Sequence, residues 1–228
     1  MFLVIFILLL SVRIPGVAQD FGAVAGRKIL LDPGHAVCNL SGKIINPGAA
    51  GRISLERDIA LQLSEILGQI LSDNGARVYF TRQTTNPWRI ARSVDEDNRR
   101  RAEEANNLGV DVFLRLHCDW SRNKKLFGVV TYYYHRSDLS LARVVQQELE
   151  KEFFQDFSRN FSGKPEFAVR KKYLVGFYYS RVPTILIETG YLTNPDQERW
   201  LQSKENLFRL ARTIGRGLNQ YFLTKGKG

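Results

Sequence analysis

Apolar positions in this chain follow two alternating rhythms. Residues 28–32 (KILLD) form a short apolar run that stops at Pro33-Gly34, as a buried strand does. Leu55, Ile59, Leu63, Ile66, Leu67, Ile70 and Leu71 then recur at three- and four-residue steps, which predicts a helix with Ser54 at its start and Asn74-Gly75 at its end. Residues 77–81 (RVYFT) read as a strand, and residues 98–108 as a helix with Ala102, Ala105 and Leu108 facing inward. Two more strands follow at residues 111–117 (DVFLRLH) and 127–134. A helix from Leu139 carries Leu141, Val144, Val145, Leu149 and Phe153 on one face. Residues 183–187 (PTILI) are a fully apolar strand, and Leu207, Leu210, Ala211, Ile214, Leu218 and Phe222 mark a last amphipathic helix.

Strands alternating with helices predict an α/β fold: a single domain with a twisted, mostly parallel sheet and helices on both faces. The domain is expected over residues 27–224, after a short linker at residues 19–26. Ahead of it, residues 1–10 (MFLVIFILLL) are unbroken apolar sequence, and Arg13 ends the run well short of the ~20 residues that span a bilayer. Pro15, Gly16, Val17 and Ala18 are small residues where a signal peptidase cuts, so residues 1–18 are expected to be a signal peptide of an exported protein. An uncleaved anchor is the alternative, because only the amino terminus is positive ahead of the apolar run. Either reading places the domain outside the cytoplasm.

With 44% apolar and 11% aromatic residues, the 228-residue chain has the material for one well-packed core, which excludes a disordered protein. Its net charge is +10, or +9 once Arg13 leaves with the leader, and that balance favours anionic partners. No basic helix with interleaved aromatics is present, so cell-wall polymer is expected rather than nucleic acid. Two cysteines, Cys38 and Cys118, allow at most one disulfide.

Ligands of open α/β sheets bind beyond the carboxyl ends of the strands. There the sequence puts Asp32-Pro33-Gly34-His35, then His117, then Glu188, while Glu56 opens the first long helix. Two imidazoles and a carboxylate make a three-ligand zinc site with a position left for water. The remaining carboxylate, Glu188, would then serve as the base and acid that hydrolysis needs. Simpler readings stand beside this one. Glu56 suits a first-turn glutamate favoured by the helix dipole, whereas an acid directly after four apolar strand residues is costly without a role or a partner. His135 reads as a surface residue.

The succession KILLDPGH, LERDIALQLSEIL with GARVYFTR, RRRAEEANNLGVDVFLRLHCD, GVVTYYY and VPTILIETGYLTNPDQERWL resembles the zinc-dependent N-acetylmuramoyl-L-alanine amidases (amidase_3) over residues 27–222. The resemblance implies a peptidoglycan substrate, cut at the amide between the N-acetylmuramic acid lactyl group and L-alanine. It also implies one Zn²⁺ per chain on His35, Glu56 and His117, with Glu188 as the catalytic glutamate. A monomer is expected, free of the membrane once the leader is removed, with room for a protein activator.

Three positions depart from the family's habit: Ala36 stands for glycine, Arg115 for a small or hydroxylated residue, and Asp119 for asparagine. Arg115 shares a strand face with His117, so it needs an acid, with Asp119 the expected partner, or it binds a substrate carboxylate. The latter would suit a zinc carboxypeptidase of the wall. A non-catalytic wall-binding module is the other alternative. Asp32 is expected either to orient His35 or to make the turn. If both histidines bind one metal, Cys38 and Cys118 come close, as a disulfide bracing the site, as independent buried thiols, or with a thiolate entering the metal shell. Asn194-Pro195 is expected to shape the loop after the catalytic strand, and residues 155–172 are expected as a loop over the site or a regulatory contact.

Overall fold

The computed structural model describes residues 21–225, so the expected leader lies outside the described residues. In chain order the elements are β1 (Lys28–Pro33), β2 (Val37–Cys38), β3 (Ile44–Asn46), α1 (Glu56–Asp73), β4 (Arg77–Phe80), β5 (Arg89–Ile90), α2 (Val94–Leu108), β6 (Val112–Asp119) and β7 (Leu126–Tyr133). They continue with α3 (Leu139–Asn160), β8 (Lys164–Lys171), α4 (Val175–Tyr178), β9 (Thr184–Tyr191), α5 (Pro195–Leu201) and α6 (Lys204–Lys225).

Six strands form one sheet in the order β4-β1-β6-β9-β7-β8. Every neighbouring pair is parallel except β7 and β9. The apolar stripes of α1, α3 and α6 close one face, where Leu63, Leu67, Val145, Leu149, Ile214 and Leu218 meet Ile29, Leu31, Leu114 and Ile185 of the strands. On the other face Ala102 and Ala105 of α2 pack on Leu30 and Phe113, and Phe177 of α4 packs on Val130 and Leu186. The fold is therefore the expected α/β layering with helices on both faces.

Several boundaries differ for local reasons. Helix α1 begins at Glu56 without a side-chain cap, because its cap residue is Leu55; Ser54, one residue earlier, donates its hydroxyl to buried Glu198 at 2.7 Å. Its end at Asn74-Gly75 is as expected, with Gly75 at φ 84°. Helix α2 starts earlier than the apolar spacing shows: the cap residue Ser93 accepts at Oγ from Glu96 N, while the Glu96 carboxylate accepts from Arg92 N, just ahead of the cap. Residues 155–172 are not a loop but the end of α3 and the edge strand β8, which pairs along its whole length with β7. In the segment read as a linker, Phe21 and Val24 are buried in the main core.

A second sheet of three very short strands, β3-β2-β5, sits immediately after the β1 turn. Its pieces are two or three residues long, too short to show any period.

Candidate metal and catalytic site

Beyond the carboxyl end of β1 the chain turns through His35 and Ala36, both in the left-handed region at φ 67° and 58°. Such backbone costs a residue with a Cβ about 1–2 kcal/mol, and it swings the His35 ring over the sheet edge. Ala36→Gly should remove that strain at the expense of some unfolded-state entropy. A net stabilisation of about 0.5–1 kcal/mol is expected, read as a higher thermal midpoint.

His117 comes from β6, one strand over, and Glu56 from the first turn of α1. Their donor atoms face one another: His35 Nε2 lies 2.8 Å from Glu56 Oε1, His117 Nδ1 lies 3.0 Å from the same oxygen, and the two ring nitrogens are 3.1 Å apart. A tetrahedral ion with bonds of about 2.0–2.1 Å holds its ligand atoms about 3.3 Å apart, so this slightly contracted triangle fits a zinc-sized cation. The three residues form a cluster able to hold a metal ion.

Two of the three ligands are held by polar groups behind them, whereas His117 Nε2 is buried without a hydrogen-bond partner among the described residues. His35 Nδ1 is 2.6 Å from Asn46 Oδ1 of β3, which fixes the proton on Nδ1 and leaves Nε2 as a lone pair. Glu56 accepts from Ala49 N at 2.7 Å and from Cys118 N at 3.0 Å. A Cβ on Gly34 would overlap the His117 ring, and one on Gly48 would press on His35 and Glu56, so both glycines make room for the ligands. Asn46 was invisible in the sequence because its strand has no pattern of its own.

Electrostatics suit a cation. Burial alone would raise the Glu56 pKa, but the contact of its carboxylate with the His117 and His35 rings holds it well below the usual carboxylate range. Burial lowers His117 to about 4, against the pull of Glu56, so its ring is neutral at physiological pH and its lone pair is free to ligate. Glu188 lies on β9 as the register partner of His117, on the same sheet face. Burial first, then Glu56 and Asp119, push the Glu188 pKa well up, and Lys172 and Arg115 oppose them. Its Oε2 is buried with no hydrogen-bond partner among the described residues. An orphaned carboxylate oxygen beside a metal-capable triad is poised to exchange a proton with a substrate.

The remaining expectations fare differently. Asp32 does not touch His35: it is fully buried, with Arg101 and Thr81 on Oδ1 and Arg115 on Oδ2. Arg115 therefore pairs with Asp32 and Asn98, at 2.7 and 2.6 Å, rather than with Asp119. At 3% exposure and closed over by Gly176 it cannot reach a substrate carboxylate. Asp119 Oδ1 accepts from Trp120 N, and burial pushes its pKa up. Cys38 and Cys118 are free thiols, not a bridge. Strand alternation turns Cys118 to the α1 side, where its Sγ lies 3.4 Å from Thr189 Oγ1. His135 is half-buried, with Nε2 3.1 Å from the Phe177 carbonyl. Asn194 caps α5, accepting from Asp196 N and Gln197 N, and so is structural as expected.

A mostly parallel α/β sheet with an imidazole–carboxylate triad and a spare glutamate at its carboxyl edge defines a hydrolase-like metal site. Comparison with known proteins narrows the class. Residues 29–220 match the profile of the Amidase_3 family, described as N-acetylmuramoyl-L-alanine amidase, and the chain belongs to that family of hydrolases. It is 27% identical over 214 residues to the germination-specific N-acetylmuramoyl-L-alanine amidase of Bacillus subtilis (strain 168), covering 89% of this chain and 83% of that one. It is 26% identical to the probable cell wall amidase LytH of Staphylococcus aureus over 90% of its own length but 61% of LytH. Among solved structures, the N-acetylmuramoyl-L-alanine amidase from Clostridium difficile 630 superposes with a TM-score of 0.71 at 26% identity, covering 88% of this chain and 99% of that one.

Proposed function

We propose that the chain is a zinc-dependent peptidoglycan amidase acting outside the cytoplasm, with His35, Glu56 and His117 holding one Zn²⁺ and Glu188 moving the proton. The observation that carries this reading is the convergence of the three donor atoms within 4.8 Å of one another. When bound, zinc polarises the scissile carbonyl and lowers the pKa of water towards ~7.

The chain's own groups supply the rest. Glu188 takes a proton from the attacking water as the lactyl carbonyl carbon gains its C–O bond. It then returns that proton to the L-alanine nitrogen as the C–N bond breaks, leaving a lactyl carboxylate and a free amine. Burial that favours the protonated acid suits the second half, and positive charge in the triad favours the carboxylate needed for the first. The net charge of +9 on the chain without its leader favours residence on an anionic wall.

The occupied Arg115 fork removes the support that a carboxypeptidase reading drew from it. An intact triad and an orphaned Glu188 oxygen speak against a purely binding module.

Metal analysis tests the site. Purified protein should carry one zinc per chain, and His35→Ala and His117→Ala should each lose it while retaining far-UV circular dichroism. Full zinc content in both folded variants would remove the triad from the metal.

A further inference from the structure

Two buried guanidinium groups grip the segment that carries His35. Arg101 donates through Nη1 to the Pro33 carbonyl at 3.0 Å and through Nη2 to the His35 carbonyl at 2.8 Å. Arg82, two residues beyond β4, donates from Nε to the Pro33 carbonyl at 3.0 Å and from Nη2 to the Gly34 carbonyl at 2.7 Å. Three consecutive carbonyls, 33 to 35, are thus held immediately before and within the left-handed turn at His35 and Ala36. Strained backbone of this kind persists only where its surroundings over-determine it.

The two arginines differ in what else they do. Arg101 is ion-paired to Asp32 and Asp97, so it also belongs to the buried charge network of the core. Arg82 is 3% exposed and forms no ion pair with a carboxylate among the described residues. Asp32 and Asp58 favour its charge from a distance, but a buried cation is costly unless its donors are themselves well used. Its Nη2 also donates at 2.7 Å to the carbonyl of Arg57, the residue after Glu56 in the first turn of α1. One side chain therefore spans the residue before one proposed ligand and the residue after another.

We propose that Arg82 is a positioning residue for the metal centre, tying the His35 turn to the start of α1 and so setting how far apart His35 and Glu56 stand. The role rests on the metal reading above, and it is separable from fold support because the spacing of the ligands matters only to the ion. The fork matters as well as the charge. A lysine has no planar set of donors to reach carbonyls on two segments at once.

The test is zinc affinity, measured by competition with a chromophoric chelator on metal-free protein, with far-UV circular dichroism and the metal-free thermal midpoint recorded alongside. Arg82→Lys and Arg82→Met should each weaken zinc binding by about 10–100-fold at a temperature where both are fully folded. Unchanged affinity in either folded variant, with only a lower midpoint, would overturn the proposal and leave Arg82 as a support of the fold. Should Arg82→Met not fold, Arg82→Lys alone decides. Wild-type protein that binds no zinc would instead remove the metal reading itself, and the two failures are told apart by that single control.

Discussion

Glu188→Gln should lower peptidoglycan turnover by about 10²–10⁴-fold, the usual worth of a positioned proton-transfer group. Glutamine keeps the shape of the side chain and cannot accept the proton of water. Zinc content should stay at one per chain, because Glu188 is not among the three converging donors. Stability should be equal or slightly higher. Glu188 stands half-buried near Glu56 and Asp119, both of which disfavour its charge, so its neutral counterpart relieves a repulsion that the fold otherwise carries. Loss of rate with retained metal and an unchanged or raised thermal midpoint separates catalysis from architecture. A variant within tenfold of wild type would show that another group moves the proton.

The second large effect concerns stability. Asp32→Asn should destabilise the fold by about 3–5 kcal/mol, the cost of breaking a buried ionic cluster from one side. Asp32 is the shared acid of Arg101 and Arg115, both buried, and removing its charge leaves two guanidinium groups under-compensated in the middle of the sheet. The pH dependence has a definite sign. Burial would raise the Asp32 pKa, but Arg101 and Arg115 hold it far below the usual carboxylate range. A carboxyl whose folded pKa lies below its unfolded value of about 3.9 stabilises the fold at all higher pH. That contribution is lost as pH falls below about 3.9 towards the folded value. Urea denaturation at neutral pH should show the difference between variant and parent, and the difference should shrink in acid. An equal stability at pH 7 would mean that solvent, not Asp32, balances the arginines.

The sequence was informative where its signals were long or chemically distinctive. Helices α1, α3 and α6 carry apolar stripes of several turns, and β1, β6 and β9 are apolar runs ended by functional side chains, so the layers and the edge bearing the site could be read directly. His35, Glu56 and His117 converge because each sits at the end of such an element. Partnerships were harder. Spacing along one strand points Arg115 to Asp119, yet its partner is Asp32 across the sheet at the same register level, and one-dimensional spacing does not reveal which strands adjoin. Proximity in sequence suggests Asp32 for His35, whereas Asn46 holds that ring from a three-residue strand without periodicity. Residues 155–172 lacked a clear strand pattern because β8 is an edge strand, half-buried in its middle and exposed at its ends, so alternation is blurred. The Cys38–Cys118 bridge assumed that nearness to one metal means facing the same way. Strand alternation sends Cys118 to the opposite face from His117.

The central claim is that this site hydrolyses the bond between muramic acid and L-alanine. Mass spectrometry of a defined muropeptide, digested by the zinc-loaded protein in ¹⁸O-enriched water, tests it most directly. The account predicts one ¹⁸O atom in the carboxylate of the lactyl group and a stem peptide released with an unmodified L-alanine amino terminus, both lost on chelation. Label in a carboxylate within the stem peptide, or an intact muropeptide from folded, zinc-loaded protein, would contradict it.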